Sequence, residues 1–186
     1  MKAGEKIMLE NDIAEPVGHL VRHRFPWLFL GLLGGILVSF IVSRYENILA
    51  SDIRLAFFIP MIVYMGDAVG TQTETIYVRY IRKEDGHFWK YIAKETVLGL
   101  SLGAIFGLII GGVAVVWLRS LAVALSVGLA MFVTVSTAPI LATIIPRALY
   151  KRHSDPALGS GPLATILQDL ISVMVYFFIA STILFG

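Results

Sequence analysis

Long apolar runs separated by short charged segments dominate the chain. They stand at residues 27–42, 55–81, 92–118, 121–149 and 162–185. Crossing the hydrocarbon core of a bilayer takes about 20 mostly apolar residues, so each run is long enough except the first, which is a little short. The pattern predicts an all-α integral membrane protein in which each subunit is a bundle of five transmembrane helices.

Composition agrees with a membrane protein. Of the 186 residues, 57% are hydrophobic and 15% are charged, whereas soluble domains are about half apolar and a quarter charged. The length suits one compact bundle without a second sizeable domain. The net charge of +2 is too small to indicate a nucleic-acid partner, and the absence of cysteine excludes disulfides and thiolate metal sites.

Lysine and arginine are distributed unequally between the two ends of the predicted helices. One set of connecting segments holds most of them, whereas the other holds Arg44, Arg54 and Arg119. This bias predicts a cytoplasmic N-terminus, a C-terminus outside, and a multi-pass location in the cytoplasmic (inner) membrane. We divide the chain into an N-terminal segment, 1–24, and a five-helix transmembrane domain, 25–186. The first segment fits either an interfacial helix or a partly disordered tail.

Acidic residues lie in or near the apolar runs, where a charge costs at least a few kcal/mol unless it faces a bundle interior or water. They are Asp67, Glu74, Glu95 and Asp169. Glu95 follows Lys94 at the start of the third run, so an interfacial position is an alternative for it. The two aspartates stand deeper in their runs and are the stronger candidates for a function inside the membrane.

In the second run, Asp67 is surrounded by residues that alter helix geometry. Pro60, Gly66 and Gly70 predict a helix that is bent or locally opened, which is tolerated at membrane depth only beside a cavity or inside protein. If the run is helical, one face carries Asp67, Gly70, Thr71, Glu74 and Thr75. That face offers hard oxygen donors.

Two further patterns predict which helix faces are buried. The fifth run has a polar stripe, with Asp169 as its only acid, at intervals of three and four residues: Thr165, Asp169, Ser172 and Tyr176. The third run has glycines four residues apart, at Gly99, Gly103, Gly107 and Gly111, which predicts close packing against another helix. Gly31 and Gly35 repeat this spacing in the first run.

The donor atoms on the polar faces are all oxygens. Oxygen ligands suit Mg²⁺, Ca²⁺ or Mn²⁺, and Mg²⁺ usually keeps several waters while one or two carboxylates hold it. Softer metals would want cysteine or histidine, and we predict that the histidines all lie in loops: His19, His23, His87 and His153. The faces therefore predict a site for Mg²⁺, with Mn²⁺ or Ca²⁺ as alternatives. The competing interpretation is that these residues only hold helices together.

Three short segments also carry a family resemblance. They are HRFPWL at 23–28, the stretch 60–79 ending in Arg79, and DPALGSGP at 155–162 followed by Thr165 and Asp169. They resemble the membrane domain of the MgtE family of Mg²⁺ transporters and their eukaryotic solute-carrier relatives, over nearly the whole chain. The second segment departs from the family's Gly-Gly-Asn-x-Gly-Asn-Gln pattern at Asp67, where glycine is usual, and at Ala68, where an amide is usual.

The resemblance implies a homodimer with a pore lined by the second and fifth helices, in which Asp169 holds a hydrated Mg²⁺ near mid-membrane. With the oxygen-rich faces, it gives our candidate metal site: Asp169, Asp67, Thr165, Gly70, Thr71 and Glu74. Family members usually carry a cytoplasmic helical domain and paired CBS regulatory modules before the first helix. This sequence contains neither, so we expect the transport domain without its usual Mg²⁺ sensor.

Three functions are open at this point. The first is conduction of a divalent cation, Mg²⁺ before others, through a dimeric pore. The second is exchange of that cation for Na⁺ or H⁺, because intramembrane carboxylates also serve proton relays. The third is a membrane scaffold that binds a cation without transporting it. We do not expect an enzyme, because no nucleophile and base stand at a recognisable spacing.

Overall fold

Long helices make up nearly all of the residues that the computed structural model describes, which are 15–81, 87–154 and 156–185. They are α1 (Val17–Ser43), α2 (Glu46–Ser51), α3 (Ile59–Tyr80), α4 (Phe88–Leu118), α5 (Leu121–Lys151) and α6 (Pro156–Phe185). A 3₁₀ helix, Ile53–Phe58, leads directly into α3. Five segments are long and apolar enough to cross a membrane, the 3₁₀ helix and α3 together forming one of them. The predicted five-helix membrane fold is confirmed.

The first helix begins earlier than predicted. It runs without interruption from Val17 through Pro26 to Ser43, whereas we expected a span that begins at Trp27. Pro16 stands just before its first turn, where a proline costs no intrahelical hydrogen bond. We had predicted that His19 and His23 lie in a loop. They lie instead on exposed turns of α1. Residues 1–14 of the predicted N-terminal segment lie outside the described residues.

The most buried helix is α5, at the centre of the bundle. It packs against α3, α4 and α6, and 56% of its most apolar stretch is buried. In contrast, α1 packs mainly against α6, and only 6% of its most apolar stretch is buried. Leu28, Leu32 and Phe40 are among its exposed side chains. The core of the subunit therefore lies between α3, α4, α5 and α6, with α1 attached at its edge.

The glycines of α4 pack closely against α5, as predicted. A β-carbon added to Gly103 would lie 2.6 Å from the carbonyl oxygen of Phe132, and one added to Gly107 would lie 2.6 Å from that of Gly128. Side chains do not approach backbone atoms so closely, so the two helices reach this separation only because the positions are glycine. Gly99 and Gly111 extend the same row.

Close packing between α1 and α6 involves a different glycine from the predicted pair. A β-carbon on Gly34 would overlap the side chain of Ile166, whereas one on Gly35 would meet no atom within 4 Å. In the reverse direction, Gly159 of α6 accommodates the ring of Trp27, which a β-carbon would approach to 2.8 Å. Residue spacing alone therefore placed the contact one position away from where the helices meet.

A polar cluster fixes the start of the second span. Asp52 accepts a hydrogen bond from the backbone N–H of Arg54 at 3.1 Å and pairs with its guanidinium at 2.6 Å. The hydrogen bond from the Arg54 side chain lowers the pKa of Asp52. Arg54 also donates to the carbonyl of Leu118, and the Tyr176 hydroxyl donates to that of Leu55 at 2.7 Å. These contacts join the second span to the ends of α4 and α6.

Candidate metal site between α3 and α6

One side of the candidate site is carried by α3, which is an unbroken helix through Gly66 and Gly70. The predicted local opening is therefore wrong. Pro60 lies in the first turn of α3, where a proline fits without breaking a hydrogen bond. Gly66 serves close packing: a β-carbon there would lie 2.6 Å from the Thr134 methyl and 2.7 Å from Nε2 of Gln168.

Asp67 of α3 is joined directly to α6. The Thr165 hydroxyl donates a hydrogen bond of 2.9 Å to Oδ1 of Asp67. Both residues are half-buried, so the carboxyl lies at the junction of the two helices and not on a lipid-facing surface. The structure therefore brings together two of the residues that the sequence proposed for the site.

Glu74 makes a second connection between the same helices. Its Oε1 accepts a hydrogen bond from the Ser160 hydroxyl, which also lies within hydrogen-bond distance of the carbonyl of Pro156. Ser160 is fully buried. Ser160 belongs to the DPALGSGP segment but was not part of the predicted site. The structure adds it as the hydrogen-bond partner of Glu74.

A small crevice lies beside these two pairs, between α3, α5 and α6. Four candidate residues line it, Asp67, Gly70, Thr71 and Glu74, together with Ala138, Leu141, Ala142, Ala164 and Gln168. Its free volume is about 10 Å³, which is close to the space that one water molecule needs. Thr71 is exposed, so the crevice reaches the surface of the subunit, as does the neighbouring Thr75.

Asp169 lies beside this crevice without lining it. It is half-buried and lies one helical turn from Thr165, the hydrogen-bond partner of Asp67. Its Oδ1 is buried, and no residue in the described ranges donates a hydrogen bond to it. A buried carboxylate oxygen without a partner is costly, and in proteins such an oxygen is normally satisfied by a donor, a water or a cation.

The polar stripe predicted on α6 separates into two parts. Thr165 and Asp169 lie near Asp67, as described above. Ser172 and Tyr176 are buried and bonded inside the subunit, Ser172 to the carbonyl of Gln168 at 2.6 Å and Tyr176 to that of Leu55. Tyr176 therefore joins α6 to the segment before α3, which was the competing interpretation of the polar residues, whereas the hydrogen bonds of Ser172 stay within α6.

Two polar contacts were not predicted from the sequence. Gln168 is 3% exposed, and its Nε2 donates to the carbonyl of Thr134 at 3.3 Å and to Oγ of Ser172 at 3.2 Å. Glu95, for which an interfacial position was an alternative, accepts a hydrogen bond of 3.0 Å from Thr73 and so faces α3. An uncharged amide in an apolar run, next to Asp169, was the available indication for Gln168.

The carboxylates are arranged singly along the interface between α3 and α6. Within residues 15–81, 87–154 and 156–185, no three His, Asp or Glu side chains come together as a metal site. A dehydrated cation in a closed cage would need such a group. A hydrated Mg²⁺ does not, because one or two carboxylates can hold it through its waters.

Comparison with known proteins adds to this geometry. The sequence profile of MgtE, described as a divalent cation transporter, matches residues 59–179. The magnesium transporters MgtE of Bacillus subtilis and Enterococcus faecalis are 34% and 35% identical, over 85% and 92% of this chain. The magnesium transporter MgtE of Thermus thermophilus is 29% identical over 87% of it.

The match has a clear extent. The chain spans only 36% to 38% of the length of these relatives. The matched profile begins at the start of α3 and ends within α6. It therefore contains both aspartates and the two hydrogen-bonded residue pairs that join these helices. The predicted resemblance is confirmed, and the chain belongs to the MgtE family of divalent cation transporters.

Proposed function

We propose that this chain conducts divalent cations, Mg²⁺ before Mn²⁺ or Ca²⁺, through a pore that α3 and α6 line in a homodimer. The observation that carries the proposal is Asp169, whose buried Oδ1 has no hydrogen-bond partner among the described residues and which lies one helical turn from Thr165, the hydrogen-bond partner of Asp67. The names of the relatives, all magnesium transporters, support the choice of ion.

A hydrated cation fits this interface better than a bare one. Mg²⁺ holds six ligands in a near-ideal octahedron and gives up its waters reluctantly. Asp67, Glu74, Thr71 and Asp169 offer carboxylate and hydroxyl oxygens, which can accept hydrogen bonds from cation-bound waters. Ions that prefer sulfur or nitrogen ligands find neither on this face.

The size of the crevice favours a path between two subunits. A cavity needs about 10–15 Å³ of free volume to hold one water, so the crevice within one subunit, with about 10 Å³, holds about one water and not the several that Mg²⁺ carries. A hydrated cation therefore cannot pass through the subunit at this point. A second copy facing Asp67 and Asp169 would enclose a wider path, and two-fold dimers are the commonest assemblies. Native mass spectrometry that finds only active monomer would refute the dimer.

The membrane potential, and not the orientation of the chain, sets the direction of passive transport. With the N-terminus in the cytoplasm, the basic segments lie inside, as the positive-inside rule requires. A membrane potential that is negative inside then drives a doubly charged ion inward with about 4.6 kcal/mol per 100 mV. Uptake down this potential needs no coupled ion.

Flux through the purified chain in liposomes tests the proposal. A trapped Mg²⁺-sensitive dye should report uptake that an inside-negative potential accelerates and that Asp169→Ala abolishes. Glu46→Ala is the matched control, because Glu46 is an exposed acid of α2 away from the interface. Uptake that requires a Na⁺ or pH gradient would indicate an exchanger. Mg²⁺ binding without uptake would indicate a scaffold.

A further inference from the structure

Gln168 occupies the point where α3, α5 and α6 meet. Its side chain is 3% exposed, and it lines the crevice beside Asp67 and Glu74. A buried amide in a membrane helix is expensive unless its donors and acceptors are satisfied. The position of each of its polar atoms therefore indicates what the residue does.

The orientation of this amide is fixed by its neighbours. The carbonyl of Thr134 can only accept a hydrogen bond, so the NH₂ group of Gln168 must face it. Oγ of Ser172 gives its own proton to the backbone carbonyl of Gln168 and therefore accepts from the same NH₂ group. Oε1 must point elsewhere, and it is buried without a hydrogen-bond partner in the described part of the chain.

Gly66 provides the space that this arrangement needs. A β-carbon at Gly66 would lie 2.7 Å from Nε2 of Gln168, 2.6 Å from the Thr134 methyl and 3.3 Å from Oγ of Ser172. The amide thus lies against the backbone of α3 and has little freedom to turn. Its oxygen is consequently presented from a rigid position.

We propose that the crevice seats one water of the hydrated cation and that Oε1 of Gln168 accepts a hydrogen bond from it. The free volume of about 10 Å³ matches one water. Such a water, polarised by the cation, has two strong donors, one for Gln168 and one for the nearby carboxylate of Asp67. This inference rests on the proposed cation path and adds to it a neutral, uncharged contact.

A rigid acceptor of this kind determines specificity by size. Mg²⁺ holds its waters about 2.0–2.1 Å away in an octahedron, whereas Ca²⁺ takes six to eight oxygens at about 2.3–2.6 Å in variable geometry. A seat at a fixed distance from Asp67 fits a water in the first arrangement better than in the second. Gln168 should therefore favour Mg²⁺ over Ca²⁺.

Replacement of Gln168 by methionine tests this role. Gln168→Met keeps the length of the side chain but removes the oxygen, so the Mg²⁺ concentration that gives half-maximal flux should rise about tenfold, the effect of one lost polar contact. The ratio of Mg²⁺ to Ca²⁺ flux should fall. Ser126→Ala is the control, because it removes a buried hydroxyl of α5 that is bonded to the carbonyl of Ala122 in the same helix, so its flux ratio should stay near that of the unmodified chain.

The outcomes separate this inference from the proposed pore. Gln168→Met with an unchanged half-maximal concentration and flux ratio overturns the inference, as does an equal change of the ratio in Ser126→Ala, which would indicate a general effect of packing. If Gln168→Met does not give a monodisperse protein, Gln168→Asn decides, because its shorter side chain withdraws the oxygen and should shift the ratio in the same direction. Asp169→Ala in the same liposomes tests the pore itself, since retained flux there refutes the pore whatever Gln168 does.

Discussion

The interface between α4 and α5 and that between α3 and α6 are built in opposite ways. In the first, a row of glycines brings two backbones together, as at Gly103 and Gly107. In the second, side-chain oxygens meet, with Thr165 on Asp67 and Ser160 on Glu74. Both interfaces join long apolar helices of one small bundle, so their difference shows what each is for.

Close backbone packing stabilises a membrane bundle without placing any charge in it. Buried carboxylates do the reverse, because each costs free energy that apolar side chains of the same size would not. A chain that needed only a stable fold could have used the glycine solution throughout. The polar interface is therefore the one that we assign to the cation, and the glycine interface the one that holds the subunit together.

The largest effect should come from Asp169, at the polar interface. Asp169→Ala should reduce Mg²⁺ flux by more than about 100-fold, because the proposed path loses a carboxylate that accepts hydrogen bonds from the waters of the cation. Thermal unfolding in detergent should change little, since no described residue donates a hydrogen bond to the buried Oδ1. Normal flux at equal incorporation into liposomes would remove Asp169 from the site.

The glycine interface should respond in the opposite sense. Gly103→Ala places a β-carbon 2.6 Å from the carbonyl oxygen of Phe132 and should lower the free energy of unfolding by about 1–3 kcal/mol. Gly112→Ala is the control on the same helix, because a β-carbon there meets nothing within 4 Å. Equal melting temperatures for the two variants in detergent would show that the close packing contributes no stability.

Asp67 should show an intermediate effect and decide whether its charge matters. Asp67→Asn keeps an oxygen that can accept from Thr165, so a residue that only packs helices should tolerate it. If the ionised carboxyl faces the path, apparent Mg²⁺ affinity should fall about three- to tenfold, and selectivity against larger cations should change. Flux measured over a Mg²⁺ concentration series distinguishes the two. Unchanged affinity and selectivity would assign Asp67 to packing.

The smallest effect should come from Asp52, outside both interfaces. Its pKa is lowered in the folded protein, so it stabilises the fold above its unfolded pKa near 4, and this contribution is lost as pH falls through the lower folded value. Asp52→Asn should cost about 1 kcal/mol, as for an ion pair that water still reaches through Arg54, and should remove the loss of stability that Asp52 causes at low pH. Melting curves of both proteins between pH 3 and 7 measure it, and parallel curves would contradict the assignment.

The sequence predicted the helices well and their meeting points less well. Apolar runs identify spans because the thickness of the bilayer sets their length. Asp169 stood out because charged residues are rare inside membrane spans. The start of α1 was missed because charged residues before Trp27, among them Arg22 and Arg24, interrupt the apolar run, although the helix continues through them. Gly34 was missed because the partner, Ile166, is not visible in the spacing of the glycines.

The errors near the candidate site have one cause. The predicted opening of α3 rested on the conformational freedom of glycine, yet Gly66 is used for its small volume against Thr134 and Gln168. Gln168 was not predicted because it carries no charge. Its position matters only because three helices meet there in the folded subunit. The roles of Gly66 and Gln168 depend on tertiary packing, which the sequence of a single helix does not reveal.

The two hydrogen bonds between α3 and α6 also have a mechanical consequence. One bond would leave α6 free to pivot on α3, but Asp67 and Glu74 are seven residues apart, about 10 Å along the helix. Two hydrogen bonds at this distance oppose both rotation and sliding of α6 on α3, so the two helices move as one rigid unit. In the proposed dimer, a movement that widens the path would then displace whole subunits against each other, with α3 and α6 of each subunit moving together.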